Sequence, residues 1–330
     1  MTEPTQATMN DSKPVSDSLA HYIWAPSRRD KRIRLTVTSA RAMGFDSRVV
    51  ICMRTPDKPS TLLQAIRNVP SDEIIVCTDA FDVLCADTAT GAKAKFAEFG
   101  KELVFGSESL CFHHMPGARR EFETSARDSL YPYLNSGMFM GFAGSIRRML
   151  KTFASWDMDA MRRDFESDPQ NPGRFDDQSL FGQYAITHGG EVALDTNAEI
   201  FLNLSAHYDT LGQDLMFDRG HVTNRATGTC PAFLHLTQVQ KFYPRYLWLA
   251  AQLGIPVTAS RIDLDLFAAH LKGDISGGAQ AIDSEIYHRV SKSLRFTALK
   301  ARSSALAAYR TARFNVGKYR RRWLTLPTLL

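Results

Sequence analysis

The chain is 330 residues long, 44% hydrophobic and 23% charged, enough for a full hydrophobic core and ordinary for a globular protein. No run approaches the roughly 18 apolar residues that a membrane-spanning helix needs. The net charge of +5 is uneven, because eleven Lys or Arg and no Asp or Glu follow Glu285, which leaves residues 1–285 at −6. A mildly acidic body with a basic end is typical of a protein that meets an anionic partner, such as a phospholipid surface, nucleic acid or an acidic protein.

The predicted elements alternate along the chain. The first 20 residues are polar, lack the apolar segment of a secretory signal and are expected to be disordered. Residues 29–45 could form a helix or contain a strand at 34–38, because the periodicity fits both. The other strand-like runs are AHYIWAP, RVVICM, EIIVCTDAFDVL, ELVFGSE and LNSGMFMGFA, and the helix-like segments are STLLQAIRNV, AKAKFAEFGK and SIRRMLKTFASW. This β-α order predicts an α/β fold with a mostly parallel sheet flanked by helices.

We predict one domain at 21–250, followed by a separate C-terminal region. Residues 251–330 are expected to form a helical, basic extension. Within 287–316, Val, Leu and Ala recur every three or four residues, which predicts an amphipathic helix with most basic residues off its apolar face. The segment 287–324 could lie on an anionic membrane surface, or the helix could pack on the domain with its charges in water. One aromatic, Trp323, beside the basic run is too little for a nucleic-acid platform, so no specific nucleic acid is expected.

The five cysteines are scattered and include no CxxC pair. That pattern is typical of small core residues in a reducing compartment. Since neither a secretory signal nor a spanning helix is predicted, we expect a cytoplasmic protein. It would be peripheral on the membrane if the basic helix binds lipid.

Residues 74–87, IIVCTDAFDVLCAD, carry two carboxylates where a buried strand is predicted to end. At such a position Asp79 and Asp82 need solvent, hydrogen bonds or a cation. Two carboxylates on a tight turn suit Mn²⁺ or Mg²⁺, which would neutralise a bound diphosphate. The alternative is that Asp79 only caps the turn.

Polar groups also follow the neighbouring predicted strands. Ser107 and Glu108 come after LVFG, and Asn135-Ser136-Gly137 lie in the next strand, where glycine marks a bulge or a close approach to a ligand. Ligands bind at the carboxyl ends of the strands in parallel sheets. We therefore expect these clusters to converge at one edge of the sheet.

Two further candidates have plain structural alternatives. A predicted helix starts at Asp176, Asp177 and Gln178. The Asp there is either an N-cap, or the carboxylate and amide form hydrogen bonds with sugar hydroxyls. His235 follows the apolar run CPAFL and, taken alone, fits a satisfied core or surface histidine better than a metal ligand.

Six stretches together resemble the glycosyltransferase domain of the procollagen lysyl hydroxylase/glycosyltransferase proteins and the related collagen galactosyltransferases. They are EIIVCTDAFDVL, ELVFGSESLC, YPYLNSGMFMGFA, FDDQSLFGQYA, EVALDTNAEIFLNL and PAFLHLTQ. They occur in the family's order within residues 34–248, and the first resembles the family's TDxYDV element. The resemblance implies a GT-A fold, a UDP-sugar donor and Mn²⁺.

Carried over by position, the resemblance also implies a role for individual residues. The implied metal ligands are Asp79, Asp82 and His235. The implied donor-binding residues are Lys58, Thr78, Asp79, Asn135, Ser136, Gly137 and Gln178. Asp177 is the implied catalytic carboxylate, and Asp195 matches a family aspartate whose role could be structural. The implied reaction moves a hexose, galactose or glucose, to a hydroxyl of a glycan, a lipid-linked acceptor or a protein.

The sequence departs from the family at two of these places. TPDKPS replaces the glycine-rich approach to Lys58, and HLTQ replaces HGNG at His235. A sugar-binding protein that kept the fold without turnover therefore remains an alternative. A phosphotransferase of the haloacid dehalogenase type is a further one, although its chemistry needs DxD rather than two Asp three apart. If the reaction inverts the sugar, Asp176 or Asp177 could be the base, whereas a retaining reaction needs none.

Overall fold

The computed structural model describes residues 18–28, 33–112, 114–169, 175–205, 211–218, 220–237 and 239–257. The predicted amphipathic helix at 287–316, most of the predicted extension and nearly all of the predicted disordered tail lie outside these residues. In the described ranges, every helix is too short or too polar to cross a membrane.

Strands and helices alternate through most of the described chain. The strands are β1 (Leu19–Ala25), β2 (Phe45–Ile51), β3 (Ile74–Asp79), β4 (Val83–Cys85), β5 (Leu103–Glu108), β6 (Tyr133–Phe142), β7 (Val192–Asp195), β8 (Phe201–Asn203), β9 (Leu215–Asp218), β10 (His221–Asn224) and β11 (Phe233–His235). The helices are α1 (Arg34–Ala42), α2 (Lys58–Ala65), α3 (Ala89–Glu98), α4 (Pro116–Ser125), α5 (Ala143–Ala154), α6 (Met158–Ser167), α7 (Asp177–Thr187), α8 (Leu211–Asp214) and α9 (Val239–Gln252).

One large sheet organises the described residues. Its strand order is β2-β1-β3-β6-β5-β8-β11-β4, with β7 paired to β5, while β9 and β10 form a separate hairpin. The pairs β1/β2, β1/β3, β5/β7, β5/β8 and β8/β11 are parallel. Strand β6 runs antiparallel between β3 and β5, and β4 runs antiparallel to β11. The predicted α/β fold with a mostly parallel sheet is confirmed.

The sheet is curled, and the curl follows from the chain itself. Strands β3 and β4 are far apart in the strand order, yet only residues 80–82 join them. A link that short spans at most about 14 Å between the strand ends. The far edge of the sheet must therefore return towards β3, and this brings the end of β11 to the turn after β3.

Both faces of the central strands are buried under helices. Helices α2, α5 and α7 contribute to a core on one face, where Ile75 and Phe139 lie. Helices α1 and α3 contribute to a core on the other face, where Val76 and Met140 lie. Burial on both faces is why these strands read as continuous apolar runs rather than as an alternating pattern.

Residues 29–45 illustrate a choice that the sequence left open. The chain is helical from Arg34 to Ala42, so a strand at 34–38 is wrong, and β2 already begins at Phe45. Leu35, Thr36, Ser39 and Ala40 are the buried residues of α1. Their spacing of three to four residues places them on one helical face against the sheet.

The cysteines are free thiols in this fold. Cys52, Cys77 and Cys85 are buried, as predicted for small core residues. Cys111 is partly exposed and Cys230 is exposed, so the prediction does not extend to those two positions.

Candidate metal and donor site

Asp79 and Asp82 lie where the chain leaves strand β3. Asp79 is the last residue of β3, and Asp82 immediately precedes β4. The amide of Leu236 donates a hydrogen bond of 2.8 Å to the carbonyl of Asp82. Because Leu236 directly follows β11, this bond places Asp82 beside His235, the last residue of that strand.

The three predicted metal ligands converge. One ligand atom from each of Asp79, Asp82 and His235 lies within 4.8 Å of the others. The Nε2 atom of His235 is 3.5 Å from Oδ1 of Asp82. Burial alone lowers the pKa of His235, but the carboxylates of Asp82 and Asp79 outweigh it and raise that pKa above its ordinary value. The site therefore favours positive charge.

The chemistry of the group fits a divalent cation. Oδ1 of Asp82 is buried and accepts no hydrogen bond from the described part of the chain. A buried carboxylate oxygen that accepts no hydrogen bond costs free energy, which a bound cation would recover. Two carboxylates favour Mg²⁺ or Mn²⁺, and an imidazole nitrogen favours a transition metal. The mixed set therefore suits Mn²⁺ better than Mg²⁺.

Lys58 lies between the metal group and the start of helix α7. Its Nζ is 2.6 Å from Oδ1 of Asp79 and 3.1 Å from Oδ2 of Asp177, and it lies 5.4 Å from the ring centre of Trp24. Burial alone lowers the pKa of Lys58, but Asp177 and Asp79 raise it above its ordinary value. The ammonium is therefore charged at physiological pH.

Asp176 and Asp177 have different surroundings. The Asp176 carboxylate is the N-cap of α7, accepting from the Gln178 amide at 3.1 Å and forming a capping box with Ser179. Asp176 is therefore an N-cap, which is the structural alternative given for it above. Asp177 is 4% exposed and faces Lys58. Burial raises the pKa of Asp177, and the charge of Lys58 offsets part of that rise.

Gln178 is anchored inside the protein. Its Nε2 donates to Oε1 of Glu108 at 3.2 Å and to the carbonyl of Phe112 at 2.9 Å, and its Oε1 accepts from the Ser136 amide at 3.1 Å. These bonds tie the start of α7 to β5 and β6. Contact of Gln178 and Ser136 with a sugar stays a prediction.

The Asn-Ser-Gly stretch lies in a bulge of strand β6. Phe105 of β5 pairs with Phe139, but the next residue, Gly106, pairs with Asn135. Residues 136–138 are therefore extra residues on β6. Bulges redirect side chains and are frequent beside active sites. Here the bulge turns Asn135 towards His235, with Oδ1 of the former 3.1 Å from Nδ1 of the latter.

The two glycines of β6 have different reasons to be glycine. A Cβ on Gly137 would lie 2.4 Å from Cε1 of His235, so the imidazole takes the space of a side chain. A Cβ on Gly141 would lie 2.5 Å from the carbonyl oxygen of Glu102, so a neighbouring strand, and not a ligand, requires that glycine.

Thr78 and Asp195 lie apart from this convergence. The Thr78 hydroxyl is buried and 2.7 Å from Nε2 of His21, and contact of Thr78 with a donor stays a prediction. The Asp195 carboxylate accepts hydrogen bonds of 2.7–2.8 Å from the amides of residues 199–201. It closes the loop from β7 to β8, which fits the structural alternative for Asp195.

Two residues at the site were not assigned a role from the sequence. Glu108 is 2% exposed, and burial raises its pKa to about 7 against the opposing effect of hydrogen bonds, the largest of them from Asn135. Asn203 is fully buried with its Nδ2 3.3 Å from Nδ1 of His235. Each is the last residue of its strand, where ligands bind in parallel sheets. That position is the sequence signal by which these two residues could have been found.

The family comparison covers the whole site. Residues 57–247 match the family model GT_PLOD, described as the PLOD GT domain. That range contains every predicted site residue from Lys58 to His235. The resemblance inferred from six short stretches is confirmed.

Several individual proteins are similar to this chain. Multifunctional procollagen lysine hydroxylase and glycosyltransferase LH3 is 28% identical over 180 residues in Rattus norvegicus and 31% identical over 184 residues in Homo sapiens. Each alignment covers 53% of this chain and 22% of LH3, so the chain matches only a minor part of those relatives. Uncharacterized protein R699 of Acanthamoeba polyphaga mimivirus is 28% identical, over 54% of this chain and 34% of that protein.

Among solved structures, mouse xyloside xylosyltransferase 1 in its apo form matches with a TM-score of 0.38 and 12% identity. The match covers 67% of this chain and 98% of that one.

Proposed function

The chain belongs to the PLOD GT-domain family, and on that premise we propose that it transfers a hexose, galactose or glucose, from a UDP-sugar to a hydroxyl acceptor with the help of Mn²⁺ or Mg²⁺. One observation carries the proposal. Asp79, Asp82 and His235 form a group of three potential metal ligands, and the ion-paired Lys58 and Asp177 adjoin it. Cation, diphosphate and sugar would then each meet a group of suitable charge.

Asp79, Asp82 and His235 would hold the cation. When bound, a divalent cation neutralises the charge that develops on a departing diphosphate. The three residues come from the β3–β4 turn and from the end of β11, so the cation would also join the two parts of the curled sheet. Its loss should therefore affect stability as well as turnover.

Lys58 would serve the donor phosphates. Its ammonium is held by Asp79 on the metal side and by Asp177 on the other side. An ammonium that already sits beside the cation site needs little movement to contact a phosphate oxygen. Although TPDKPS replaces the family's glycine-rich segment, Lys58 still contacts Asp79 and Asp177. This weakens the argument that the replacement abolishes activity.

Asp177 would act on the sugar side of the site. Its ion pair with Lys58 favours the charged carboxylate, while burial raises its pKa and makes it a stronger base than an exposed Asp. A base near the acceptor hydroxyl accepts its proton as the new bond forms. Asp176 is less suited to this role because its carboxylate caps helix α7.

The acceptor and the cellular location belong to the same proposal. A glycan, a lipid-linked acceptor or a protein would supply the hydroxyl, and a cytoplasmic protein with peripheral contact to anionic membrane through 287–324 fits the basic C-terminal sequence. Reaching a lipid-linked acceptor would be one reason for such contact.

A panel of nucleotide sugars tests the proposal. The protein is incubated with each donor in Mn²⁺, and released UDP is measured with and without EDTA. We expect release from UDP-galactose or UDP-glucose that EDTA abolishes. If the protein binds a UDP-sugar but releases no UDP, whichever acceptor is added, the sugar-binding alternative is favoured. No binding of any UDP-sugar would contradict both.

A further inference from the structure

Glu108 holds two side-chain amides of the site with a single oxygen atom. Its Oε1 accepts a hydrogen bond of 3.0 Å from Nδ2 of Asn135 and one of 3.2 Å from Nε2 of Gln178. Glu108 is 2% exposed, so water does not compete for this oxygen. Hydrogen bonds are stronger in a buried site than in water, and both amides are therefore firmly oriented.

The orientation of Asn135 has a consequence for His235. Because Nδ2 of Asn135 donates to Glu108, its Oδ1 faces the opposite way. That oxygen accepts from the Gly137 amide at 2.9 Å and lies 3.1 Å from Nδ1 of His235. An amide oxygen can only accept, so this contact is favourable when Nδ1 of His235 carries a hydrogen.

Asn203 favours the opposite state of the same nitrogen, one without a hydrogen. Its Oδ1 accepts from the Ser205 amide at 2.9 Å, which leaves its Nδ2 facing Nδ1 of His235 at 3.3 Å. An amide NH₂ would favour a bare Nδ1. The contact with Asn135 is the shorter, and Glu108 and Gly137 fix Asn135 from both sides. A hydrogen on Nδ1 should therefore prevail, and with a cation bound at Asp79 and Asp82 the Nε2 of His235 is bare towards that cation.

We propose that Glu108 is a positioning residue that sets the tautomer of His235 through Asn135. A bare Nε2 is the form in which an imidazole binds a cation, and a hydrogen bond at the other ring nitrogen selects it. The same oxygen of Glu108 also holds Gln178, next to Asp177. Glu108 thus aligns the metal side and the sugar side of the site together. The inference rests on the proposed cation at Asp79, Asp82 and His235.

The test compares Glu108→Gln with Glu123→Gln in the full chain. Glu123 makes a matched control, because its carboxylate accepts a hydrogen bond of 3.0 Å from the Tyr133 hydroxyl at the surface. Mn²⁺ binding without nucleotide is followed by electron paramagnetic resonance. The ring nitrogens of His235 are followed by ¹⁵N NMR in Mg²⁺, which is not paramagnetic. We expect Glu108→Gln to weaken Mn²⁺ binding by about 10- to 100-fold and to move the hydrogen of His235 partly to Nε2. Glu123→Gln should change neither.

Asn203→Ala separates this role from general damage to the site. Removing the opposing amide should leave Mn²⁺ binding as tight as in the wild type, or tighter, whereas a merely structural network would weaken in both variants. If Glu108→Gln does not fold, Asn135→Ala is measured in its place, with the same expected loss.

Two results would have separate meanings. A folded Glu108→Gln protein with wild-type Mn²⁺ affinity and an unchanged His235 tautomer overturns the inference. A wild-type protein that binds no Mn²⁺ contradicts the proposed cation and, with it, this inference.

Discussion

At the scale of single residues, the site is defined by an excess of negative charge around one lysine. Asp79, Asp82 and Asp177 lie within one network, and Lys58 pairs with two of them. The remaining carboxylate, Asp82, faces the imidazole of His235 at 3.5 Å. This imbalance supports the proposal that the site binds a divalent cation and, with it, a diphosphate.

The first prediction concerns Asp177. Asp177→Asn keeps the shape of the side chain and removes its charge. Transfer should fall by about 10²- to 10⁴-fold if Asp177 is the base. UDP affinity in Mn²⁺ should stay nearly unchanged, because in the proposal the residue acts on the sugar and not on the nucleotide. Steady-state turnover and calorimetric titration with UDP measure the two effects.

The matched control for this prediction is Asp176→Asn. Asn is as good an N-cap as Asp, so that variant should keep its transfer activity. A loss of transfer in Asp176→Asn with normal activity in Asp177→Asn would reverse the assignment. An equal loss of UDP affinity in Asp177→Asn would contradict its place on the sugar side.

The sequence predicted the residues of the site better than their connections. Asp79, Asp82 and His235 were assigned by position in a resemblance, and they do converge. The roles of Glu108 and Asn203 depend on hydrogen bonds to residues 27 and 32 positions away. Such pairings arise only from the packing of the strands, so no local pattern reveals them.

At the scale of elements, loops and a bulge between regular strands position the side chains of the candidate site. The bulge in β6 turns Asn135 towards His235, and the turn after β3 presents Asp82 to the end of β11. The loop from β7 to β8 is closed by Asp195 and leads to Asn203. The regular strands supply a rigid frame for these irregular segments.

The second prediction concerns that loop. Asp195 is 1% exposed, and its carboxylate accepts from the amides of residues 199–201. Asp195→Ala would leave buried donors without partners, so the free energy of unfolding should fall by about 3 kcal/mol or more. Urea denaturation measures the change. Asn197→Ala, in the same loop, is the control, and a loss below about 0.5 kcal/mol in Asp195→Ala would contradict the structural role.

The regular elements were largely predictable, but their arrangement was not. Strands buried on both faces give continuous apolar runs, and β1, β3, β5 and β6 were found on that basis. The antiparallel direction of β6 and the pairing of β11 with β4 involve residues far apart in sequence. The pattern within a segment carries no information on its partner, so neither could be derived.

At the scale of the whole molecule, charge divides the chain into two parts. Residues 1–285 carry a net charge of −6, and all eleven charged residues after Glu285 are basic. An acidic body is repelled by an anionic surface, whereas the basic end is attracted to it. A protein of this kind would approach a membrane in one orientation.

The third prediction tests the basic end. Full-length protein should bind vesicles that contain phosphatidylserine, with about 1 kcal/mol for each basic residue close to the surface. Binding should weaken with salt and disappear on truncation after Glu285. Co-sedimentation measures it, with neutral phosphatidylcholine vesicles as the control. Full-length protein that ignores anionic vesicles at low salt would support a helix packed on the domain instead.

The most direct test of the central claim is the return of activity when metal is added back. Protein stripped with EDTA is given Mn²⁺, and UDP release is measured from the preferred UDP-sugar for wild type, for Asp82→Ala and for the exposed-site control Asp72→Ala. Circular dichroism checks the fold of each. We predict that Mn²⁺ restores wild type and Asp72→Ala but not Asp82→Ala, although all three are folded. Full turnover by the stripped protein, or by Asp82→Ala, would contradict a metal-dependent transferase centred on Asp79, Asp82 and His235.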